Sequence, residues 1–128
     1  MTTRSISHLI IGFGKAGKTL AADLAKHGES VILVEQSAAM YGGTCINIGC
    51  IPSKLLLVEG EKSARLTDKS AAFQAAMQRR EQLTSALRAA NYNKLATIPG
   101  VEILTGTARF LSPNVVEVST EDGACQIE

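Results

Sequence analysis

The sequence predicts an α/β fold in which a parallel sheet with crossover helices is followed by an antiparallel β-meander. Two short apolar runs, at residues 6–11 and 30–35, lie on either side of one amphipathic helix, which is the pattern of a βαβ unit. The segment after residue 97 instead alternates short apolar runs with the turn sequences SPN and EDG, which is typical of consecutive antiparallel strands. The parallel part of the fold is therefore expected first and the meander last.

Three helices are predicted between and after the two apolar strands. The first follows a glycine-rich turn, ends at Gly28, and has one apolar face made of Ala16, Leu20, Ala21 and Leu24. The second is predicted to begin at Pro52 and to continue from Lys54 to Val58. The third is predicted over residues 70–92, with an apolar stripe that is expected to pack into the core: Phe73, Ala76, Met77, Leu83, Leu87 and Ala90. The predicted strands of the meander are then Val101–Ile103, Ala108–Leu111 and Val116–Val118.

Composition narrows the class of protein. With 128 residues, the chain is long enough for at most one domain. Its formal net charge of +1 and its lack of Trp argue against a general nucleic-acid-binding surface. No apolar run approaches the length of a membrane span, and the first residues do not resemble a signal peptide. We therefore expect a soluble, cytoplasmic protein with no nucleic-acid or membrane partner, where a reducing environment disfavours structural disulfides.

The glycine-rich turn HLIIGFGKAGKT satisfies two phosphate-binding patterns at once. As G-x-x-x-x-G-K-T it is a Walker A loop made of Gly12, Gly17, Lys18 and Thr19. As G-x-G-x-x-G it is a dinucleotide-binding turn made of Gly12, Gly14 and Gly17. In both patterns, glycines expose backbone N–H groups and the N-terminus of a helix faces a phosphate.

The residues after the turn favour the dinucleotide interpretation. Glu35 ends the second strand 18 residues beyond Gly17, where dinucleotide-binding folds place the acidic residue that accepts hydrogen bonds from a ribose. Gly17 and Ala21 supply the small residues needed where the helix crosses the strands. A Walker A site would also need an Asp at the end of another apolar strand, and the sequence has none there. Lys18 and Thr19 are then ordinary first-turn helix residues, and a P-loop module remains the alternative.

A cysteine pair is the second feature with chemical meaning. Cys45 and Cys50 are separated by four residues, and a disulfide that closes so short a loop would add only about 2 kcal/mol of stability. A structural zinc site needs four ligands, whereas Cys125 is the only other thiol, so no metal site is predicted. A redox role fits better, because a helix start beside Cys50 and the charge of Lys54 favour a thiolate. A non-enzymatic dithiol module that captures Cu⁺ or Hg²⁺ also remains open.

The segment GGTCINIGCIPSK resembles the active-site signature of the flavin-dependent pyridine nucleotide–disulfide oxidoreductases, which include glutathione reductase, lipoamide dehydrogenase and mercuric reductase. Together with IIGFGKAGKTLA, it is most similar to the bacterial reactive-chlorine-resistance branch of that family. The resemblance covers residues 6–128 and is sharpest over 9–35 and 42–54. It implies a Rossmann-like FAD-binding domain, with FAD as cofactor and NAD(P)H as electron donor.

The resemblance also implies a role for each matching residue. Cys45 would be the thiol that exchanges with substrate, and Cys50 the thiol that faces the flavin. The remaining positions would contact the cofactor: Gly12, Gly14 and Gly17 the pyrophosphate, Glu35 the adenosine ribose, Gly43 and Thr44 the flavin side, Lys54 the reactive edge of the flavin, and Gly106 the adenine end. For Gly106, a purely structural role in bending a strand is an equal alternative.

The resemblance further implies an enzyme that passes electrons from NAD(P)H through FAD to the Cys45–Cys50 disulfide, and on to a disulfide, small-molecule or metal-ion substrate. Members of the family are much longer homodimers, whereas this chain has no second dinucleotide turn. We therefore expect residues 1–128 to be the N-terminal segment of the FAD-binding domain, incomplete and inactive alone, with NAD(P)H-binding and dimerisation domains absent. The meander is expected to be unfinished, and Cys125 is expected to be a free thiol near a turn.

Overall fold

A computed structural model of the chain describes residues 2–128, which form two sheets and four α-helices. The strands are β1 (Thr2–Arg4), β2 (His8–Ile11), β3 (Val31–Glu35), β4 (Val101–Thr105), β5 (Thr107–Ser112), β6 (Val115–Thr120) and β7 (Gly123–Ile127). The helices are α1 (Lys15–Lys26), α2 (Thr44–Asn47), α3 (Cys50–Ser63) and α4 (Lys69–Ala96), and a short 3-10 turn spans Ala38–Met40. The predicted α/β class is confirmed by this arrangement.

The parallel sheet has the strand order β2-β3-β4. The predicted βαβ unit is present, with Leu9 of β2 opposite Ile32 of β3. On the other side of β3, Leu33 lies opposite Ile103 of β4 in parallel register. The prediction that Val101–Ile103 begins the meander was therefore wrong. A short apolar run is typical of strands in parallel and in antiparallel sheets, so the sequence does not distinguish the two. The crossover through α3 and α4 places β4 parallel to β3.

The second sheet has the order β1-β7-β6-β5, and β5, β6 and β7 form an antiparallel meander, in which β5 and β6 are predicted strands and β7 takes the place predicted for Val101–Ile103. Its β1 strand, which pairs in parallel with β7, was not predicted because TTR carries no apolar pattern. Cys125 is the free thiol that was expected. It lies within β7, packed against buried side chains of this sheet, rather than near a turn.

The β3 strand contributes to two separate hydrophobic cores, because its alternate side chains point to opposite faces of the sheet. One core lies under α1 and α4 and contains Phe13, Ala21, Val31, Leu33 and Leu95. The other lies between the sheet and the meander and contains Ile32, Val34, Val116, Val118 and Ile127. Burial on both faces fixes β3 and therefore the position of Glu35 at its end.

The long helix α4 is capped by Asp68, whose carboxylate accepts a hydrogen bond of 2.9 Å from the N–H of Ala71. Only its C-terminal end reaches the core below α1, through Tyr92 and Leu95. The prediction that its whole apolar stripe packs into the core was wrong, because Phe73 is 63% exposed and Leu83 is 38% exposed. Among residues 2–128, no helix has both the length and the apolar character needed to cross a membrane.

Candidate functional site

The turn between β2 and α1 has the backbone shape of an anion cradle. Gly12 has φ +109° and donates its N–H to the Val34 carbonyl at 2.7 Å, which anchors the turn to β3. A side chain at Gly17 would collide with the Gly12 carbonyl and lie 3.2 Å from Ile10 Cγ2. Space is open around Gly12 and Gly14, and no side chain caps α1 at Gly14. The first-turn amides of α1 are therefore available to an anion.

Glu35 lies beside this cradle, at the carboxyl end of β3. Its carboxylate accepts hydrogen bonds from the backbone N–H of Phe13 at 2.9 Å and of Ser37 at 3.2 Å. The structure thus brings Glu35 to the turn, as the spacing predicted. Gly106 lies close by and donates its N–H to the Glu35 carbonyl at 2.9 Å. A Cβ on Gly106 would lie 2.5 Å from the Ser119 carbonyl, so close packing alone already requires glycine there.

The segment from Gly42 to Cys50, which we call the cysteine loop, lies directly against the cradle. A Cβ on Gly43 would lie 2.7 Å from Gly14 Cα, so the two backbones are in contact. Cys45 lies in α2 and Cys50 begins α3, with their Cα atoms 4.7 Å apart and their sulfur atoms joined in a disulfide. The Asn47 side-chain amide donates to the Gly43 carbonyl at 2.8 Å, which stabilises the turn before the disulfide.

The two cysteines, Thr44 and Lys54 are all exposed. Lys54 follows Cys50 by four residues on α3, so both side chains lie on one side of that helix. No side chain caps α3 at Gly49, so the N–H groups of its first turn are available beside Cys50. The structure therefore gathers the predicted cysteine, lysine and glycine positions at one end of the parallel sheet.

Lys18 and Thr19 do not point into the cradle. The Lys18 ammonium donates hydrogen bonds to the Gly42 carbonyl at 3.1 Å and to Asn91 Oδ1 at 2.8 Å. Burial lowers its pKa, and the nearby charges of Lys15 and Lys94 lower it further. The Thr19 hydroxyl donates to the Lys15 carbonyl at 2.6 Å. These contacts argue against a Walker A loop. Lys18 and Thr19 lie at the start of α1, as predicted, whereas the hydrogen bond from Lys18 to the cysteine loop was not predicted.

An aromatic cluster behind the cysteine loop was not predicted from the sequence. The Tyr41 ring lies 5.5 Å from the ring of Phe13 and 4.8 Å from the ring of Tyr92, measured between centroids. Its hydroxyl forms a hydrogen bond with the Thr105 hydroxyl at the end of β4. The cluster thus joins the cradle, the cysteine loop, α4 and β4. A pattern search could not find it, because its members are far apart in the chain.

Comparison with known proteins places this arrangement in a family. The family model described as pyridine nucleotide-disulphide oxidoreductase matches residues 6–126, and the chain therefore belongs to that family. This confirms the family that the cysteine segment indicated.

Particular relatives agree with that assignment. The chain is 46% identical over 119 residues to the probable pyridine nucleotide-disulfide oxidoreductase RclA of Escherichia coli (strain K12), covering 93% of this chain and 25% of the relative. It is 37% identical to mercuric reductase of Streptomyces lividans, covering 89% of this chain and 26% of that protein. It is 33% identical to glutathione reductase of Schizosaccharomyces pombe, covering 95% of this chain and 28% of that protein.

A solved structure gives the same result for the fold. The Cu(II) complex of the HOCl-induced flavoprotein disulfide reductase RclA from Escherichia coli superimposes with a TM-score of 0.87 at 42% identity. The match covers 98% of this chain and 27% of that chain. The chain thus spans about a quarter of the length of the curated relatives it matches. The α/β fold is confirmed as a fragment of a Rossmann-like FAD-binding domain, and the roles of the individual residues stay predictions.

Proposed function

We propose that residues 1–128 are the N-terminal segment of the FAD-binding domain of a flavin-dependent NAD(P)H disulfide oxidoreductase, with Cys45–Cys50 as its redox-active disulfide. The observation that carries the proposal is the contact between the cysteine loop and the glycine cradle. Gly43 and Gly14 touch, so a dinucleotide bound at the cradle would lead directly to the disulfide. The NAD(P)H-binding and dimerisation domains would lie in a longer parent protein, and this segment alone would have no turnover.

The residues at the cradle fit FAD. The open space around Gly12 and Gly14 would be filled by a Cβ, so glycine keeps room for a pyrophosphate against the first turn of α1. Glu35 would hold the adenosine ribose, and Gly106 would lie toward the adenine. Gly43, Thr44 and Lys54 would line the flavin side. When bound, the flavin supplies two-electron transfer between a nicotinamide and the disulfide.

The two cysteines would then divide the chemistry. In the reduced pair, the Cys45 thiolate attacks one sulfur of a substrate disulfide, and the other substrate sulfur leaves as a thiolate that takes up a proton. The Cys50 thiolate next attacks Cys45 Sγ of the mixed disulfide and releases the second substrate thiol. This step restores the Cys45–Cys50 disulfide, and NAD(P)H returns the two electrons consumed. The amides at the start of α3 and the charge of Lys54 stabilise the Cys50 thiolate.

The relatives suggest the range of substrates and partners. The relatives include a glutathione reductase and a mercuric reductase, and the Escherichia coli structure is a Cu(II) complex of a disulfide reductase. We propose a disulfide, small-molecule or metal-ion substrate for the parent protein, which would act as a cytoplasmic homodimer. The formal net charge of +1 supports the absence of nucleic-acid and membrane partners.

The visible absorption spectrum of the purified parent protein tests the proposal. Flavin bands in near-stoichiometric amount, bleached by NADH or NADPH and restored by substrate, are the expected result. A colourless protein that binds Mg-ATP would contradict it and favour the P-loop alternative. Zinc or copper held stoichiometrically by both cysteines, without flavin, would favour the dithiol metal module.

A further inference from the structure

The side chain of Lys18 is the part of the GKT sequence that the proposed function leaves unused. Its ammonium is half-buried and donates to two neutral oxygens, the Gly42 carbonyl at 3.1 Å and Asn91 Oδ1 at 2.8 Å. Among residues 2–128, no carboxylate forms an ion pair with it. Partial burial of a charge without an opposite charge is unfavourable, and an apolar side chain here would avoid it.

The Gly42 carbonyl belongs to the peptide group between Gly42 and Gly43, which comes shortly before Cys45 in the chain. This group is planar, so its oxygen and the N–H of Gly43 move together. Lys18 holds the oxygen, while the Gly43 N–H donates to the Met40 carbonyl at 2.9 Å. Both ends of the peptide group are therefore fixed, two residues before Cys45.

The glycines on either side of this peptide group cannot hold it by themselves. Gly42 has φ +90° and Gly43 has φ +93°, and neither carries a side chain that could pack. A Cβ on Gly42 would lie 2.8 Å from Ile46 Cδ1 and 3.3 Å from Asn91 Cβ, so a larger residue would have to displace Ile46 and also adopt an unfavourable positive φ. Glycine is the most flexible residue, so contacts from elsewhere fix the orientation, which are the Met40 carbonyl at one end of the peptide group and the Lys18 ammonium at the other.

Asn91 of α4 is oriented to accept the hydrogen bond from Lys18. Its Nδ2 group donates to the Leu87 carbonyl at 2.8 Å, and this turns Oδ1 toward the Lys18 ammonium. The ammonium thus bridges α4 and the cysteine loop from its place on α1.

We propose that Lys18 is a positioning residue, which fixes the Gly42–Gly43 peptide group and thereby places Cys45 and Cys50 against the cofactor. The inference rests on the proposed role of that disulfide. It gives the lysine of the GKT sequence a task in the redox centre rather than at a phosphate.

The test compares Lys18→Met with Lys26→Met in the complete flavoprotein. Lys26 lies in the last turn of α1, away from the glycine cradle, is exposed, and makes no side-chain hydrogen bond within the described part of the chain. FAD retention after gel filtration, the alkylation rate of reduced Cys45, and kcat are measured. In a Cys45→Ser background, the long-wavelength band between the Cys50 thiolate and the oxidised flavin is also recorded.

We expect Lys18→Met to retain FAD, to lower kcat about 10- to 100-fold, and to weaken the thiolate band, since a displacement of about 1 Å can have effects of that size. Lys26→Met should match the wild type. Wild-type kcat, alkylation and band in Lys18→Met would overturn the inference. Loss of FAD in that variant would overturn it too, because Lys18 would then act on the cofactor.

Variants of Asn91 test the same bridge if Lys18→Met does not fold. Asn91→Asp keeps an acceptor for the ammonium and should lower kcat less than Asn91→Leu, which removes it. Equal effects of the two would contradict the inference. A wild-type parent without flavin would instead contradict the proposed function, so the two failures can be told apart.

Discussion

The glycine cradle and the cysteine loop are both rich in glycine, but different parts of the molecule hold them. The cradle is fixed within the βαβ unit, by the Gly12 to Val34 hydrogen bond, by the close approach of Gly17 to the Gly12 carbonyl, and by Glu35. The cysteine loop has internal hydrogen bonds such as that from Asn47 to the Gly43 carbonyl, but its Gly42 carbonyl is held from outside, by Lys18 of α1, whose ammonium also donates to Asn91 of α4. The cradle is therefore a local structure, whereas the geometry of the disulfide depends on tertiary contacts.

The largest effect on turnover is expected from substitution of Cys45 or Cys50, the two redox-active residues of the cysteine loop. Cys45→Ser and Cys50→Ser should each abolish turnover of the complete flavoprotein, because each removes one of the two sulfurs that exchange. Cys45→Ser should leave a Cys50 thiolate against oxidised flavin, seen as a long-wavelength absorption band, and Cys50→Ser should lack that band. Flavin spectra and steady-state assays measure both effects.

Alkylation mapped by mass spectrometry gives the matched control. In the reduced wild type, Cys45 should react before Cys50, while Cys125→Ser should leave turnover unchanged. Full activity in both active-site serine variants, together with equal alkylation rates of Cys45 and Cys50 in the wild type, would contradict the assignment of a redox pair.

A second prediction tests whether the cradle is a local structure. Gly17→Ala should lower the free energy of unfolding by about 1–3 kcal/mol, because the new methyl group would meet the Gly12 carbonyl. Gly14→Ala meets open space and should change stability by about 0.5 kcal/mol or less, yet it should weaken FAD binding by filling the cradle. Denaturant titration and FAD titration measure the two effects separately. The same stability loss in both variants would refute the packing argument.

A third prediction concerns the cofactor end of the cradle. Glu35→Ala should weaken FAD binding about 10- to 100-fold, since it removes a charged acceptor for ribose hydroxyls. Gly12→Val should weaken it as well, because valine does not tolerate φ +109°. Retained FAD after gel filtration is the measurement.

Glu29→Ala is the control for Glu35→Ala, because Glu29 lies at the opposite end of β3, on the surface beside His8. Lys18→Ala should also keep FAD. Unchanged FAD content in Glu35→Ala and Gly12→Val would remove the dinucleotide site, and loss of nucleotide binding in Lys18→Ala would revive the Walker A interpretation.

The difference between the two regions explains what could be predicted from the sequence. The cradle, β3 and Glu35 follow from a contiguous pattern of apolar runs, glycines and spacing, and all of them were predicted. The cysteine pair was found because a long sequence signature carries it. The support of Lys18, Asn91 and Tyr41 could not be predicted, since it joins residues as far apart as 18 and 91.

The errors in the fold have the same cause. Val101–Thr105 is a short apolar strand whose neighbour depends on where the α3–α4 crossover delivers the chain, and the sequence pattern does not record that. Phe73 was placed in the core because its spacing fits a helix face. Ala76 of that face is buried, but the face meets the core below α1 only near Leu95, at the other end of α4.

The smallest predicted effect concerns Tyr41 and tests whether its contacts stabilise the cysteine loop. Tyr41→Phe removes only the hydrogen bond to Thr105 and should lower the free energy of unfolding by about 1 kcal/mol, while the ring contacts with Phe13 and Tyr92 remain. Tyr41→Leu removes those contacts as well and should destabilise more and speed the alkylation of reduced Cys45. Denaturant titration and timed alkylation check both variants. If Tyr41→Leu behaved like Tyr41→Phe in both measurements, the aromatic cluster would not stabilise the cysteine loop. The contacts of Lys18 and Asn91 would then stabilise the loop without the cluster.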